Sequence, residues 1–230
     1  MIRKTFLAAP ILGLAYGICS ATEPVKPTTE NDKISYSVGY RLGGDFKRQE
    51  IEINPDMLIQ GMKDAAGGGE PVMTEQEMMN VMTTMANRVK AAQMEKQKQQ
   101  GADNLKAGEA FLAENSAKEG VTTLPSGLQY KVLTAGEGKS PQKSDQVTVN
   151  YRGTLIDGTE FDSSYSRGKP ATFGVGQVIP GWTEALLMMK EGDKWKIVLP
   201  SKLAYGERGA GAKIPPNSTL VFEVELISVD

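Results

Sequence analysis

The spacing of apolar residues changes period near residue 120, and that change constrains the fold more than any other feature of the chain. Before it, Ile34, Val38, Leu42 and Phe46 recur at every fourth position beside a small-residue stripe of Ser35, Gly39 and Gly43. This spacing predicts an amphipathic helix over 31–48. After Pro125 the pattern alternates: Leu128, Tyr130 and Val132, then Val147, Val149 and Tyr151, then Trp195, Ile197 and Leu199, and last Leu220, Phe222, Val224 and Leu226, with Glu223 and Glu225 turned the other way. Alternation gives each strand one core face and one wet face, which predicts an antiparallel sheet. The chain is therefore α+β, a helical half followed by a mostly β half.

Two more helices are predicted in the first half. Asn54-Pro55 is an N-cap with proline at the first helical position, and Gly67-Gly68-Gly69 ends the element. Thr74-Glu75-Gln76-Glu77 is a capping box that opens a helix reaching about Lys118. Met78, Val81, Met82, Met85 and Val89 form an apolar stripe at its start, and Leu105, Phe111 and Leu112 resume the pattern near its end. Glu95 to Asn104 is polar on every side. That stretch is expected to be a solvated spacer, with Gly101 and Gly108 as places to bend. The methionine-rich stripe has three readings: a dimer interface, an ordinary intrachain core, or an adaptable surface for unfolded chains.

At the amino terminus, Arg3 and Lys4 precede an apolar run from Phe6 to Ile18 that is too short to span a bilayer. This is the layout of a secretory signal peptide, with Cys19 and Ala21 at the small-residue positions of a cleavage site after Ala21. A lipid anchor on Cys19 is the rival reading, which Tyr16-Gly17-Ile18 suit poorly. Export across the inner membrane places the protein in the periplasm or at the outer membrane or cell surface. Without Arg3 and Lys4, the chain's 26 basic residues become 24 against 28 acidic, a net charge of −4. No basic excess is left to drive phosphate binding, so a nucleic-acid partner is not expected.

Asp157-Gly158 marks a hairpin in the β half. One helix, opened by Val178-Ile179-Pro180-Gly181, sets Trp182, Ala185, Leu186 and Met189 on the side that should meet the sheet. Around its gap should gather Tyr151, Phe161, Phe173, Trp182, Tyr205 and Phe222. Asp162 follows Phe161 and needs a partner such as Arg167, Tyr205 lies in a glycine-flanked loop, and 209–216 is a long connection of small residues. The chain has no histidine. Ser163 and Ser164 therefore lack a base for a hydrolase. Glu160 and Asp162 are expected on opposite sides of their strand, which removes a glycosidase-like pair. No ligand cluster for a metal is present.

Four stretches in order, VNYRGTLIDGTEFDSS (149–164), VIPGWTEAL (178–186), LAYGERGAG (203–211) and IPPNSTLVFEVEL (214–226), resemble the FKBP-type peptidyl-prolyl cis-trans isomerases. The helical half is similar in layout to the dimerisation domain of the Mip-like secreted members. The resemblance implies the boundaries 1–21 signal peptide, 22–30 flexible leader, 31–72 helical dimerisation domain, 73–118 long connecting helix and 120–230 isomerase domain. It implies an antiparallel half-barrel wrapped on one short helix, with the proline ring of a substrate over Trp182. Tyr151, Phe161, Phe173 and Phe222 would wall the pocket, Val178 and Ile179 would border it, and Ile214 would close the loop side. The Ile179 N–H and the Tyr205 hydroxyl would bond substrate carbonyls, and Arg167 would orient Asp162. No cofactor is implied. The partners implied are X-Pro segments of unfolded or partly folded proteins, macrolide-type immunophilin ligands as competitors, and a second copy of the chain. Ala171 replaces a further aromatic of some members, and the loop before Val178 is about two residues shorter.

Such a site suits the chemistry available. Rotation about X-Pro breaks no σ-bond; its barrier of about 18–20 kcal/mol is lost amide resonance, and the isomers differ by only about 0.5–1 kcal/mol. An apolar, ring-lined cavity favours the twisted amide, whose charge separation is smaller. Lowering the barrier by about 6 kcal/mol accelerates the step roughly 10⁴-fold. The competing expectation is a proline-segment binding module or holdase in which turnover is incidental.

Overall fold

The computed structural model describes residues 26–230; the expected signal peptide with Cys19, and residues 22–25 of the leader, lie outside the described residues. The chain divides after Val72 into two compact units.

The first unit carries two helices. Helix α1 spans Glu30–Arg48, capped by Thr29 with Asp32 completing a reciprocal capping box. Helix α2 spans Pro55–Gly67; Asn54 accepts from the N–H groups of Asp56 and Met57, and Gly68 ends it at φ 66°. A left-handed residue just past the last turn is the usual helix stop, and glycine takes it without strain. Neither helix has a buried residue.

The second unit opens with α3, Glu75–Ser116, a helix of 42 residues that starts at the Thr74/Glu77 capping box. Seven strands follow: β1 (Thr122–Thr123), β2 (Gln129–Thr134), β3 (Gln146–Leu155), β4 (Glu160–Ser163), β5 (Ala171–Gly174), β6 (Lys194–Leu199) and β7 (Leu220–Val229). All pairings are antiparallel, in the order β1-β2-β6-β7-β3-β4, with β5 also on β3. Helix α4, Pro180–Leu186, has Pro180 in its first turn and buries Gly181, Trp182, Ala185 and Leu186. Those residues share one core with Val147, Val149, Ile197, Leu199, Leu220, Val224 and Leu226. A Cβ on Gly181 would lie 2.6 Å from Leu199, so glycine lets α4 approach the sheet.

Two expectations need correction. Val132 was placed with Leu128 and Tyr130 on a core face, yet it is 43% exposed. The core lies with β6, β7 and β3; β2 leaves it after Tyr130, and its pairing with β6 shifts register beyond Val132. Gly101 and Gly108 were expected to bend α3 in a solvated stretch. Instead the helix is continuous across both and both are buried. Gly101 faces Pro216 and Asn217, and a Cβ on Gly108 would lie 2.2 Å from Thr219 Oγ1. Asn104 Nδ2 donates to Pro216 O at 2.8 Å, Asn115 Nδ2 donates to Gln129 Oε1 at 2.8 Å, and Gln129 Nε2 donates to Leu112 O at 2.9 Å. Residues 101, 104, 108, 112 and 115 share a helix face, so α3 docks through a small and polar stripe that hydropathy does not mark.

Candidate active site

The centre of the site is Trp182, placed by the first turn of α4. Three rings meet it nearly edge-on: Tyr151 at 5.3 Å and 90°, Phe222 at 5.3 Å and 84°, and Phe173 at 5.8 Å and 83°. Phe161 meets Phe222 at 5.5 Å and 86°. Edge-to-face pairs each contribute about 0.5–1.5 kcal/mol beyond their buried area, so the rings hold one another in position. Trp182, Tyr151, Phe161 and Phe222 are buried and Phe173 is half-buried. The indole N–H of Trp182 is buried with no acceptor among the described residues.

Strand β3 organises this cluster. Its edge opposite β7 pairs first with β5, over Gln146 to Val149, and then with β4, from Arg152 onward. Tyr151 falls in the gap between the two partners. Ser164 fills it: its Oγ accepts the Tyr151 N–H at 2.9 Å, and its own N–H donates to Tyr151 O at 2.9 Å. Ser163 Oγ accepts the Ser166 N–H at 3.4 Å. The paired serines thus serve the backbone. In β4, Gly153 faces Asp162 and Thr154 faces Glu160, so Phe161 is the extra residue of a bulge, a device that re-aims a side chain. Its ring passes over Gly153, where a Cβ would come within 2.7 Å of Phe161 and 2.8 Å of Phe222.

That bulge also explains the two acids. Residues two apart share a face in a regular strand, so the expected separation of Glu160 from Asp162 does not follow from alternation. The bulge separates them. Glu160 pairs with Arg152 Nε at 2.8 Å and accepts from Ser166, whereas Asp162 turns to the hydroxyl of Tyr151, which donates to Oδ2 at 2.5 Å. Arg167 closes the triangle, donating to Asp162 and, at 2.6 Å, to the Tyr151 oxygen, with its guanidinium 5.3 Å from the Tyr151 ring centre. The Ser163 N–H completes the set on Oδ1 at 2.9 Å. Burial acts to raise the Asp162 pKa, but the hydrogen bonds from Tyr151 and Arg167 outweigh it and hold the carboxyl below its ordinary value. Burial, and then the bond to Asp162, raise the Tyr151 phenol above its ordinary value. The carboxylate accepts and the phenol donates across the whole neutral range.

Val178 and Ile179 are half-buried against the core just before α4, and Ile214 is buried. Tyr205 stands apart from the ring cluster, 41% exposed, between two short 3-10 turns. Its loop is fixed by a bridge between Ala210 and Ile214 and by Gly209, whose φ of 63° and closeness to Ile214 O exclude a side chain. Lys213 Nζ donates to Phe161 O at 3.2 Å, tying this loop to β4. Sequence reasoning missed Ser164, Gly153 and Asn217. A serine after Asp-Ser and a lone glycine in a strand were visible, but the gap in β3 pairing and the β4 bulge that give them their roles were not.

The antiparallel strands and one helix thus hold a wall of rings beside an ion-paired carboxylate. Residues 137–227 match the family model described as FKBP-type peptidyl-prolyl cis-trans isomerase, and residues 31–132 match the domain amino terminal to it. The chain is 48% identical over 229 residues to the outer membrane protein MIP of Legionella longbeachae, covering 99% of this chain and 98% of that one. It is also 48% identical to the peptidyl-prolyl cis-trans isomerase Mip of Coxiella burnetii, with 99% of both chains covered. The crystal structure of FkpA from Escherichia coli superposes with a TM-score of 0.73 at 42% identity, over 88% of this chain and 97% of that one. The protein belongs to the FKBP-type peptidyl-prolyl cis-trans isomerase family, with the amino-terminal domain that accompanies it in such relatives.

Proposed function

We propose that isomerisation takes place over Trp182, with the proline ring of an X-Pro segment seated among Tyr151, Phe161, Phe173 and Phe222. Val178, Ile179 and Ile214 border it. The observation that carries this reading is the set of three rings standing edge-on around one indole, beside a carboxylate whose acceptors are already engaged by Tyr151 and Arg167. The rings exclude water and favour the less polar twisted amide over the planar one. Asp162, fixed by Arg167 and Tyr151, is the polar group at the floor of the cavity. The Ile179 N–H and the Tyr205 hydroxyl hold the substrate carbonyls while the bond turns. A macrolide-type immunophilin ligand competes for the same rings.

Client proteins are exported chains with rate-limiting X-Pro bonds. The basic start and apolar run of residues 3–18 support export, as does the outer-membrane name of a relative. Among the described residues no helix is long and apolar enough to cross a membrane. Two copies associate through the amino-terminal helices, which leave Ile34, Val38, Met57, Met62, Met78 and Met82 exposed in the single chain. The paired chains place two sites near one unfolded client, which raises their effective concentration and adds a holding activity to the isomerisation.

The test is cis/trans exchange of a short peptide with one Leu-Pro bond, measured by NMR without a coupled protease. Exchange well above buffer that falls at least tenfold in Tyr205→Phe and Asp162→Leu together supports the site; full activity in that double variant places the chemistry elsewhere.

A further inference from the structure

The docking of α3 reaches the loop that carries Tyr205. Asn217 holds a left-handed backbone at φ 54°, and its side chain and main chain point to different partners. Its Nδ2 donates to Gly101 O of α3 at 3.2 Å, and its N–H donates to Gly206 O at 2.8 Å. Gly206 follows Tyr205 directly. Next to Asn217, Asn104 of α3 holds Pro216 O at 2.8 Å, and Pro215 and Ile214 lead from there to the bridge with Ala210. Gly108 lets Thr219 press against the helix at a distance that no other residue would permit. The outgoing limb of the loop, 216–219, is thus held by three positions of a single helix face, and the limb of Gly206 is held to it through the Asn217 N–H.

We infer that Asn104 of α3 and Asn217 are positioning residues for isomerisation: the helix fixes the Pro215–Thr219 segment, and through Gly206 it sets where the Tyr205 hydroxyl meets the substrate. The helix that carries the chain away from its amino-terminal domain is therefore part of the working site. Loops bearing binding groups reorder readily when unsupported, and Tyr205 is half-exposed with no hydrogen bond of its own among the described residues. An external support supplies what the loop's own short turns do not. This rests on Tyr205 contacting substrate, as proposed above.

The experiment is a mutant cycle in the full chain, read by NMR exchange of the Leu-Pro peptide at several concentrations. Asn104→Ala removes the bond to Pro216. Asn217→Gly removes the bond to Gly101 while keeping a residue at ease at positive φ. The pair should lower kcat/KM about fivefold, the scale of one or two lost hydrogen bonds, with the fold retained by circular dichroism. In a Tyr205→Phe background the same pair should change the rate less than about twofold, because the group it positions is gone. A general weakening of structure would not produce this coupling. If Tyr205→Phe lowers activity and the pair acts equally in both backgrounds, or not at all, the positioning role is overturned while Tyr205 keeps its place in the site. If Tyr205→Phe changes nothing, both fall together.

Discussion

At the scale of the residue, the site depends on a few hydrogen bonds of unequal strength. Asp162 keeps its charge because Tyr151 and Arg167 outweigh the cost of burying it. Replacing it by leucine removes a charge-assisted network, and bonds of this kind carry about 1.5–3 kcal/mol; kcat/KM in the peptide exchange assay should fall roughly 10- to 100-fold with the rings still in place. The pH profile follows from the same groups. The carboxyl is held below its ordinary value, so its contribution is full above the unfolded pKa near ~3.9 and is lost as pH falls through the lower folded value. The Tyr151 phenol is held above its ordinary value of about 10 and stays a donor up to there. The rate should be flat across the neutral range and decline only in acid, unlike the bell of an enzyme with a base. At Gly153, alanine would drive a methyl into Phe161 and Phe222. Overpacking of this kind costs about 1–3 kcal/mol, which a urea melt would read as a lower midpoint.

At the scale of the element, two departures from regularity build the ring cluster. The β4 bulge brings Phe161 over β3, and the gap between β5 and β4 leaves Tyr151 to be held by Ser164. Ser164→Ala would leave the Tyr151 N–H buried without its partner, at about 1–3 kcal/mol; thermal unfolding should show the loss, and activity should fall with it because the same residue carries the phenol. The helix boundaries were legible because capping is local: Asn54-Pro55, Gly68 and the Thr74/Glu77 box all act within one turn. The role of the middle of α3 was not. Its docking face consists of Gly101, Asn104, Gly108 and Asn115, residues that contribute by closeness and by specific bonds, and hydropathy records neither.

At the scale of the whole molecule, apolar surface is distributed unevenly. Helices α1 and α2 bury nothing, and Met82 of α3 is 58% exposed, whereas the sheet and α4 enclose a complete core. Sedimentation of residues 26–230 should therefore give a dimer, and a fragment beginning at Glu95, which lacks the exposed stripe but keeps the docked part of α3, should give an active monomer. If that fragment dimerises, the association surface lies on the sheet unit instead.

The sequence alone determined what local physics can decide. Hydrophobic period separated helix from strand, caps marked the helix ends, the missing histidine counted against a serine hydrolase, and four spaced motifs carried the family. Tertiary structure decided where register and contact matter: that a bulge divides Glu160 from Asp162, that Ser164 repairs an interrupted sheet edge, that Val132 lies outside the core, and that a polar helix face supports the loop of Tyr205. Each of these depends on which backbone groups find partners across long stretches of chain. Such partners are chosen by the assembled fold, and a pattern of neighbouring side chains does not contain them.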